Sequence, residues 1–451
     1  MTTTATDRAA RGLSRAVDPA SLVAFRVALG GLVAVASIRF VAKGWVAEHF
    51  VDPRHYFPYW GFEWVRPVSA SGMYAVYALM TLAALGVAAG ALYRVSAATL
   101  FALFTYTHLC DKTHYLNHYY LVSLLTGLAA LLPLHHHGSV DAWWSKRRGR
   151  APRAWPAAWV LWLVRYQVGL VYFFGGVAKL GPDWLVHAMP LRIWLARGTD
   201  VFLIGPIFRY EATAYLMSWG GAVFDLSIPF LLLYRKTRPF AFAAVLAFHV
   251  IVGRLFQLGM FPWFMPAFAT ILFEPDWPRR LWRGWCAPSS PPSAPAWTSK
   301  IGMRVAAVYC VVQALLPLRF LVYPGNVLWT EEGFRFAWKV MLQEKNGVVT
   351  ARAVDRSTGE RFYVAPSDYL TPLQERMMST QPDMILQFAH MIRDDFRTRG
   401  RDVSVYVDAR VSLNGRPSRP LVDSTVDLSN EREGLAPKRW VLPMPKDPPR
   451  F

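Results

Sequence analysis

Apolar runs separated by short polar turns fill roughly the first two thirds of the chain, each near the length a helix needs to cross a bilayer. The pattern predicts about nine such spans. They fall at about 20–42, 70–92, 95–110, 117–134, 157–180, 212–234, 239–254, 260–273 and 301–322. The eighth is short and contains Pro262 and Pro266, so a re-entrant or broken helix fits it as well as a full crossing. The first run starts too late, with no small-residue cleavage site behind it, for a removable signal, so the chain is expected to insert through its own spans. Beyond about residue 323 a period of two takes over. Val403, Val405, Val407, Ala409, Val411 and Leu413 alternate with polar residues, the pattern of a half-buried strand, and an Asn-Gly turn follows. "GVVTARAVD" and "ERFYVAP" fit further strands, and a helix fits about 382–399.

The expected architecture is an α-helical polytopic membrane protein with a C-terminal strand-rich extracytoplasmic domain. Residues 1–19 form a cytoplasmic N-terminus, 20–322 the transmembrane domain with a proline/serine-rich cytoplasmic linker at 287–300, and 323–451 the outer domain. No internal repeat of fixed period is visible.

Composition sharpens this picture. Hydrophobic residues make up 54% of the chain and charged residues only 18%, which fits a membrane protein in its lipid bilayer better than a soluble globule. The net charge of +19 raises the possibility of nucleic acid, but the basic residues form short clusters between apolar runs. Arg94, "SKRRGR" (145–150), "RKTR" (235–238) and "RRLWR" (279–283) all fall on one side when the N-terminus is cytoplasmic, as the positive-inside rule requires. That pattern argues for a membrane orientation and against nucleic acid. Cys110, Cys286 and Cys310 are far apart and suggest neither a disulfide framework nor a zinc site.

The opposite face collects the unusual residues. Lys179 ends an apolar run just before "GPDW". Apolar surroundings disfavour the charged form of an amine and so favour a proton-accepting one. Equally, a lysine at this depth can snorkel and pair with Asp183 four residues on. Gly175 and Gly176 suit either close helix packing or backbone approach to a ligand. "DKTHYLNHYY" offers Asp111, Lys112, His114, Asn117 and His118 as hydrogen-bonding and proton-shuttling groups, or an interfacial aromatic belt. His249, Arg165 and Gln167 sit inside spans, where polar side chains are either satisfied in packing or functional. "HHH" (135–137) lies on the basic side, away from the others, and reads as an interfacial loop.

These stretches together resemble the vitamin K-dependent gamma-carboxylase family, members of the HTTM (horizontally transferred transmembrane) group. The matching pieces run in order along nearly all of the chain: "YFPYWGFEWVRP", "DKTHYLNHYYL", "QVGLVYFFGGVAKLGPDWL", "FDLSIPFLLLYRKTRP", "FHVIVGRLFQLGMFPWFM", "EPDWPRRL", "LWTEEGFRFAWKVML" and "VSVYVDARVSLNGRP". The resemblance implies carboxylation of protein-bound glutamate with carbon dioxide and dioxygen, coupled to epoxidation of vitamin K hydroquinone, a co-substrate, and no metal. It implies Lys179 as the base towards the hydroquinone, with Asn117 and His118 as catalytic residues near the reacting groups. His249, Asp111, Trp329, Phe334 and Trp338 are then the candidate substrate-binding residues, and a Glu-containing peptide or protein the partner. Phe334, Phe336 and Ala337 stand where vertebrate relatives carry tyrosines and serine, and the short basic chain suggests a prokaryotic relative. A hydroquinone epoxidase without peptide carboxylation, and a quinone or lipid binding or transport protein without turnover, are the alternatives.

Overall fold

The computed structural model describes residues 12–151, 153–201, 204–256, 258–281 and 299–450. Most of the predicted N-terminal segment and all but the last two residues of the predicted linker lie outside these. A helix forms at each of the predicted apolar runs: α1 (Ala20–Ala42), α2 (Ala70–Ala89), α3 (Tyr93–Leu109), α4 (Asn117–Leu131), α5 (Ala158–Val177), α6 (Glu211–Leu233), α7 (Arg238–Leu255), α8 (Phe261–Ala269) and α9 (Lys300–Leu315). Among the described residues, six are long and apolar enough to cross a membrane: α1, α2, α5, α6, α7, and α9 with its 3-10 continuation to Val322.

The other three fall short of the length of a full crossing, each for a local reason. α3 stops where the Asp111 side chain accepts from the Thr113 amide and starts a new turn. α4 ends just before Pro133, a residue that restricts its predecessor to extended backbone. α8 and its 3-10 extension Thr270–Leu272 span about 18 Å, well short of a bilayer core of about 30 Å. In this break Arg165 of α5 donates from Nε to the Ile271 carbonyl at 2.9 Å and from Nη2 to the Phe273 carbonyl. The buried arginine thus satisfies backbone acceptors that a continuous helix would have satisfied itself. Arg26 does the same for the turn holding the triple histidine, donating to the carbonyls of Leu134, His137 and Gly138. His135 stacks on Tyr93 there, so the triplet forms a packed turn.

The C-terminal domain is a four-stranded antiparallel sheet in the order β2 (Arg361–Val364), β1 (Lys345–Asp355), β3 (Val403–Leu413), β4 (Arg419–Pro420). β1 and β3 pair along their whole length, from Lys345 opposite Leu413 to Asp355 opposite Val403. The alternating apolar residues of β3 are all buried, against helix α10 (Pro382–Thr398) and its Ile385, Phe388, Ala389 and Ile392.

Two loops of the helical part are fastened to this domain. Lys112 pairs with Asp383 at 2.9 Å and with Glu433 at 3.3 Å, and Arg335 pairs with the same Asp383 at 2.7 Å. Beside them Gln374 donates to Asp111 at 2.9 Å, and Gln387 donates to the Pro58 carbonyl at 3.0 Å. At the second loop Arg416 grips Asp183 with both guanidinium ends, at 2.6 and 2.7 Å, and Asn414 adds a bond at 2.9 Å. Burial alone would push the Asp383 carboxyl up, but Arg335 and Lys112 hold it well below the usual carboxylate range.

A carboxyl whose folded-state pKa is depressed stabilises the fold above its unfolded pKa, and that contribution is lost only as pH falls through the folded value. The clamp is therefore expected to hold through mild acid, down to about pH 4. Asp383→Asn leaves two buried cations short of a partner and is expected to cost about 3 kcal/mol, seen as a lowered melting temperature of the detergent-purified protein. An unchanged melt would contradict this role.

Candidate active site

Lys179 follows the last turn of α5 and is only 6% exposed. Its amine donates to the Gly175 carbonyl at 3.1 Å, one of the acceptors left free at the helix end, and to Asp225 Oδ2 at 2.7 Å. Asp225 lies in the middle of α6, and the two glycines explain how it comes so close. A Cβ on Gly176 would fall 2.8 Å from the Leu226 backbone nitrogen, so only glycine permits this approach of α5 to α6. A Cβ on Gly175 would touch the Asp225 carboxylate at 3.4 Å. The pairing expected with Asp183 does not form. Pro182 starts a new short helix after Gly181, and Asp183 turns outward to Arg416. The amine is paired, with Asp225 in place of Asp183.

Lys179 and Asp225 line a cavity of about 90 Å³ with Tyr172, Trp184 and His249. His249 Nδ1 bonds the Val245 carbonyl at 2.8 Å, which requires the proton on Nδ1 and leaves Nε2 an acceptor. Among the described residues that Nε2 has no partner.

A second cavity, of about 480 Å³, adjoins the first and is lined by Asn117, His118 and Phe334. Phe261, Val340 and Met341 line both. The Phe261 ring stands 5.8 Å from that of His118 and 5.5 Å from that of His249, so one aromatic residue separates the two histidines. Asn117 has both polar groups engaged: Nδ2 donates to the Lys339 carbonyl at 3.0 Å, and Oδ1 accepts from the Tyr115 hydroxyl at 3.1 Å. The same hydroxyl accepts from the Phe336 amide at 2.7 Å. Asn117 thus holds the 336–341 segment against the helices.

This segment is unusual in its backbone. Phe336, Trp338 and Met341 all have positive φ, a conformation that costs roughly 1–3 kcal/mol for such residues and persists only where the surroundings enforce it. Trp338 stacks on Tyr120 at 4.8 Å, and Val340 and Met341 are delivered to the wall between the cavities.

Of the predicted site residues, Lys179 and His249 meet in the small cavity and Asn117, His118 and Phe334 in the large one. Asp111, Trp329 and Trp338 line neither. Asp111 is buried on Thr113 and Gln374, Trp329 bonds the Leu442 carbonyl at 2.8 Å, and Trp338 is packed as described. Sequence reasoning missed Asp225, whose signal was a single carboxylate within an apolar span. It also missed His49 and His108, which join His114 and His118 around the large cavity. Among the described residues no cluster of three or more His, Cys, Asp or Glu side chains could hold a metal ion.

A multi-helix membrane protein with a buried lysine–aspartate pair and a fastened C-terminal sheet domain is the class that fold and site define. Residues 14–277 match the HTTM domain, and residues 298–447 match the vitamin K-dependent gamma-carboxylase, lumenal domain. The chain belongs to the vitamin K-dependent gamma-carboxylase family. No solved structure matches it.

Removing one partner of a buried ion pair strands the other charge, at a cost of roughly 3–5 kcal/mol, whereas an apolar pair of similar volume is often neutral. Lys179→Met and Asp225→Leu are each expected to lower the melting temperature markedly, and the double variant to recover most of the loss. Additive losses would contradict the pairing.

Proposed function

We propose that the protein is a vitamin K-dependent gamma-glutamyl carboxylase, converting protein-bound glutamate to gamma-carboxyglutamate with carbon dioxide and dioxygen while vitamin K hydroquinone becomes its epoxide. Family membership supports a carboxylase-like enzyme in a membrane. The observation that carries the finer reading is the Lys179–Asp225 pair in the wall of an apolar cavity that shares Phe261 and Met341 with a larger one.

The residues present suit a quinol. A phenolic hydroxyl needs an acceptor in an apolar setting, and the cavity offers Lys179 Nζ and the unpartnered Nε2 of His249. Phe261 and Met341, which line both cavities, would hold the apolar parts of the molecule. The hydroquinone, once bound, supplies the reducing power for dioxygen and thereby the strong base that an unactivated glutamate γ C–H requires.

Lys179 has the simpler task of taking the proton from the phenolic hydroxyl. For its amine to do so, one ammonium proton must have somewhere to go, and Asp225 Oδ2 at 2.7 Å is the acceptor in reach. The pair then works as one proton-accepting unit, and the Gly175 carbonyl fixes the direction of the amine. Trp184, Tyr172 and Phe261 exclude water, which would quench a strong base and a carbanion. Asn117 is a positioning residue, acting through the 336–341 segment that forms the wall between the cavities.

In this reading the N-terminus is cytoplasmic, the spans occupy 20–322, and the strand-rich domain from 323 onward lies on the lumenal or extracytoplasmic side. The lumenal name of the second matching family domain and the basic loops of the opposite face support that orientation.

The test is an assay in lipid nanodiscs with vitamin K hydroquinone, oxygen, labelled bicarbonate and a Glu-containing peptide. Epoxide and fixed label are expected together, and both should fall by about 100-fold or more in Lys179→Ala. Epoxide without label would replace the proposal with an epoxidase, and neither product with a binding or transport protein.

A further inference from the structure

The large cavity contains a charge that the chemistry at Lys179 does not use. Arg39, near the end of α1, lines it and makes no ion pair or side-chain hydrogen bond among the described residues. Its guanidinium carbon lies 4.7 Å from the centroid of the Trp45 ring, a cation–π contact that orients the group and leaves its N–H edge unused. The lining contains no aspartate or glutamate.

The same lining contains imidazoles with spare capacity. His49 and His114 lie with ring centroids 4.0 Å apart, and among the described residues His114 Nε2 and His108 Nε2 are buried with no partner. Two orphaned ring nitrogens in one cavity depart from the rule that buried polar atoms are satisfied, and they point to a polar ligand. Burial pushes the His114 imidazole down to about 3 and lowers that of His49 as well. Both rings are therefore neutral and can turn an N–H towards an acceptor, while Arg39 supplies the positive charge.

We propose that the large cavity is the subsite for the side-chain carboxylate of the glutamate substrate, with Arg39 as its counter-ion and His49 and His114 as hydrogen-bond partners. The identity of the ligand rests on the carboxylase reading; the preference for an oxyanion rests on the cavity alone. A planar guanidinium matches a carboxylate with two parallel bonds, which a single phenolic oxygen cannot use. The C-terminal-domain helix Pro372–Met378 contributes Leu373 and Met377 to this cavity and nothing to the one at Lys179, so a peptide presented from that domain would border this cavity. Quinol oxygen and bicarbonate are the other oxyanions that such a site could take.

The experiment measures equilibrium binding to the full-length protein in nanodiscs, without quinol or oxygen, so that no turnover contributes. The probes are an end-blocked pentapeptide with a central glutamate, and the same peptide with glutamine. The wild type is expected to prefer the glutamate peptide by about tenfold or more, the worth of a charge-assisted bond. Arg39→Gln should bind both alike, Arg39→Lys should keep most of the preference, and the KM for hydroquinone should stay within about twofold in either variant. No preference in the wild type overturns the proposal without any variant having to fold. So does a preference that survives in Arg39→Gln, or an effect confined to hydroquinone or bicarbonate. A preference lost in Arg39→Gln by a protein that fixes no carbon dioxide would sink the carboxylase reading and leave the anion subsite standing.

Discussion

Two opposite charges withdrawn from water at the end of a membrane helix are the constraint that organises this molecule. Isolated, the Lys179 ammonium or the Asp225 carboxylate would cost several kcal/mol to bury. Together at 2.7 Å they are tolerable, but only if α5 and α6 approach more closely than side chains normally allow. The Gly175–Gly176 pair meets that need directly. Trp184 then covers the pair, its indole nitrogen fixed on the Ser218 carbonyl of α6 at 2.7 Å. The site is thus a product of helix packing, with its chemistry set by what the packing excludes.

The C-terminal domain completes what the helices begin. Its grip on Asp183 fixes the loop four residues beyond Lys179, and its grip on Asp111 and Lys112 fixes the loop that leads into Asn117 and His118. Between these anchors the 336–341 segment descends to form the wall shared by both cavities, its positive φ angles enforced by Tyr115, Tyr120 and Asn117. Neither half would hold the cavities in this shape alone. Charged residues that a reader of the sequence would assign to substrate, Asp111 above all, are spent on this fastening.

The apolar runs and the alternation of β3 were legible because helix and strand periods act locally. The helix breaks were legible in part: Pro262 and Pro266 warned of a short α8, but the arginine that makes the break tolerable comes from α5, more than one hundred residues away in sequence. Lys179 stood out as a charge in an apolar run. Its partner did not, because Asp183 at four residues' distance is the natural local choice, while Asp225 is 46 residues on and becomes a neighbour only when glycine packing is known. The family resemblance pointed to the segment after Trp329, and Phe334 does line a cavity. Which of its residues turn inward depends on left-handed backbone at aromatic positions, for which composition carries no signal.

The most direct test of the account is a structure of the protein in lipid with a hydroquinone-type ring bound, and the quantity of interest is the distance from a ring oxygen to Lys179 Nζ. The account predicts a hydrogen bond, about 3 Å, with Asp225 still on the far side of the amine. A ring held beyond Phe261, with no oxygen near Lys179, would contradict it.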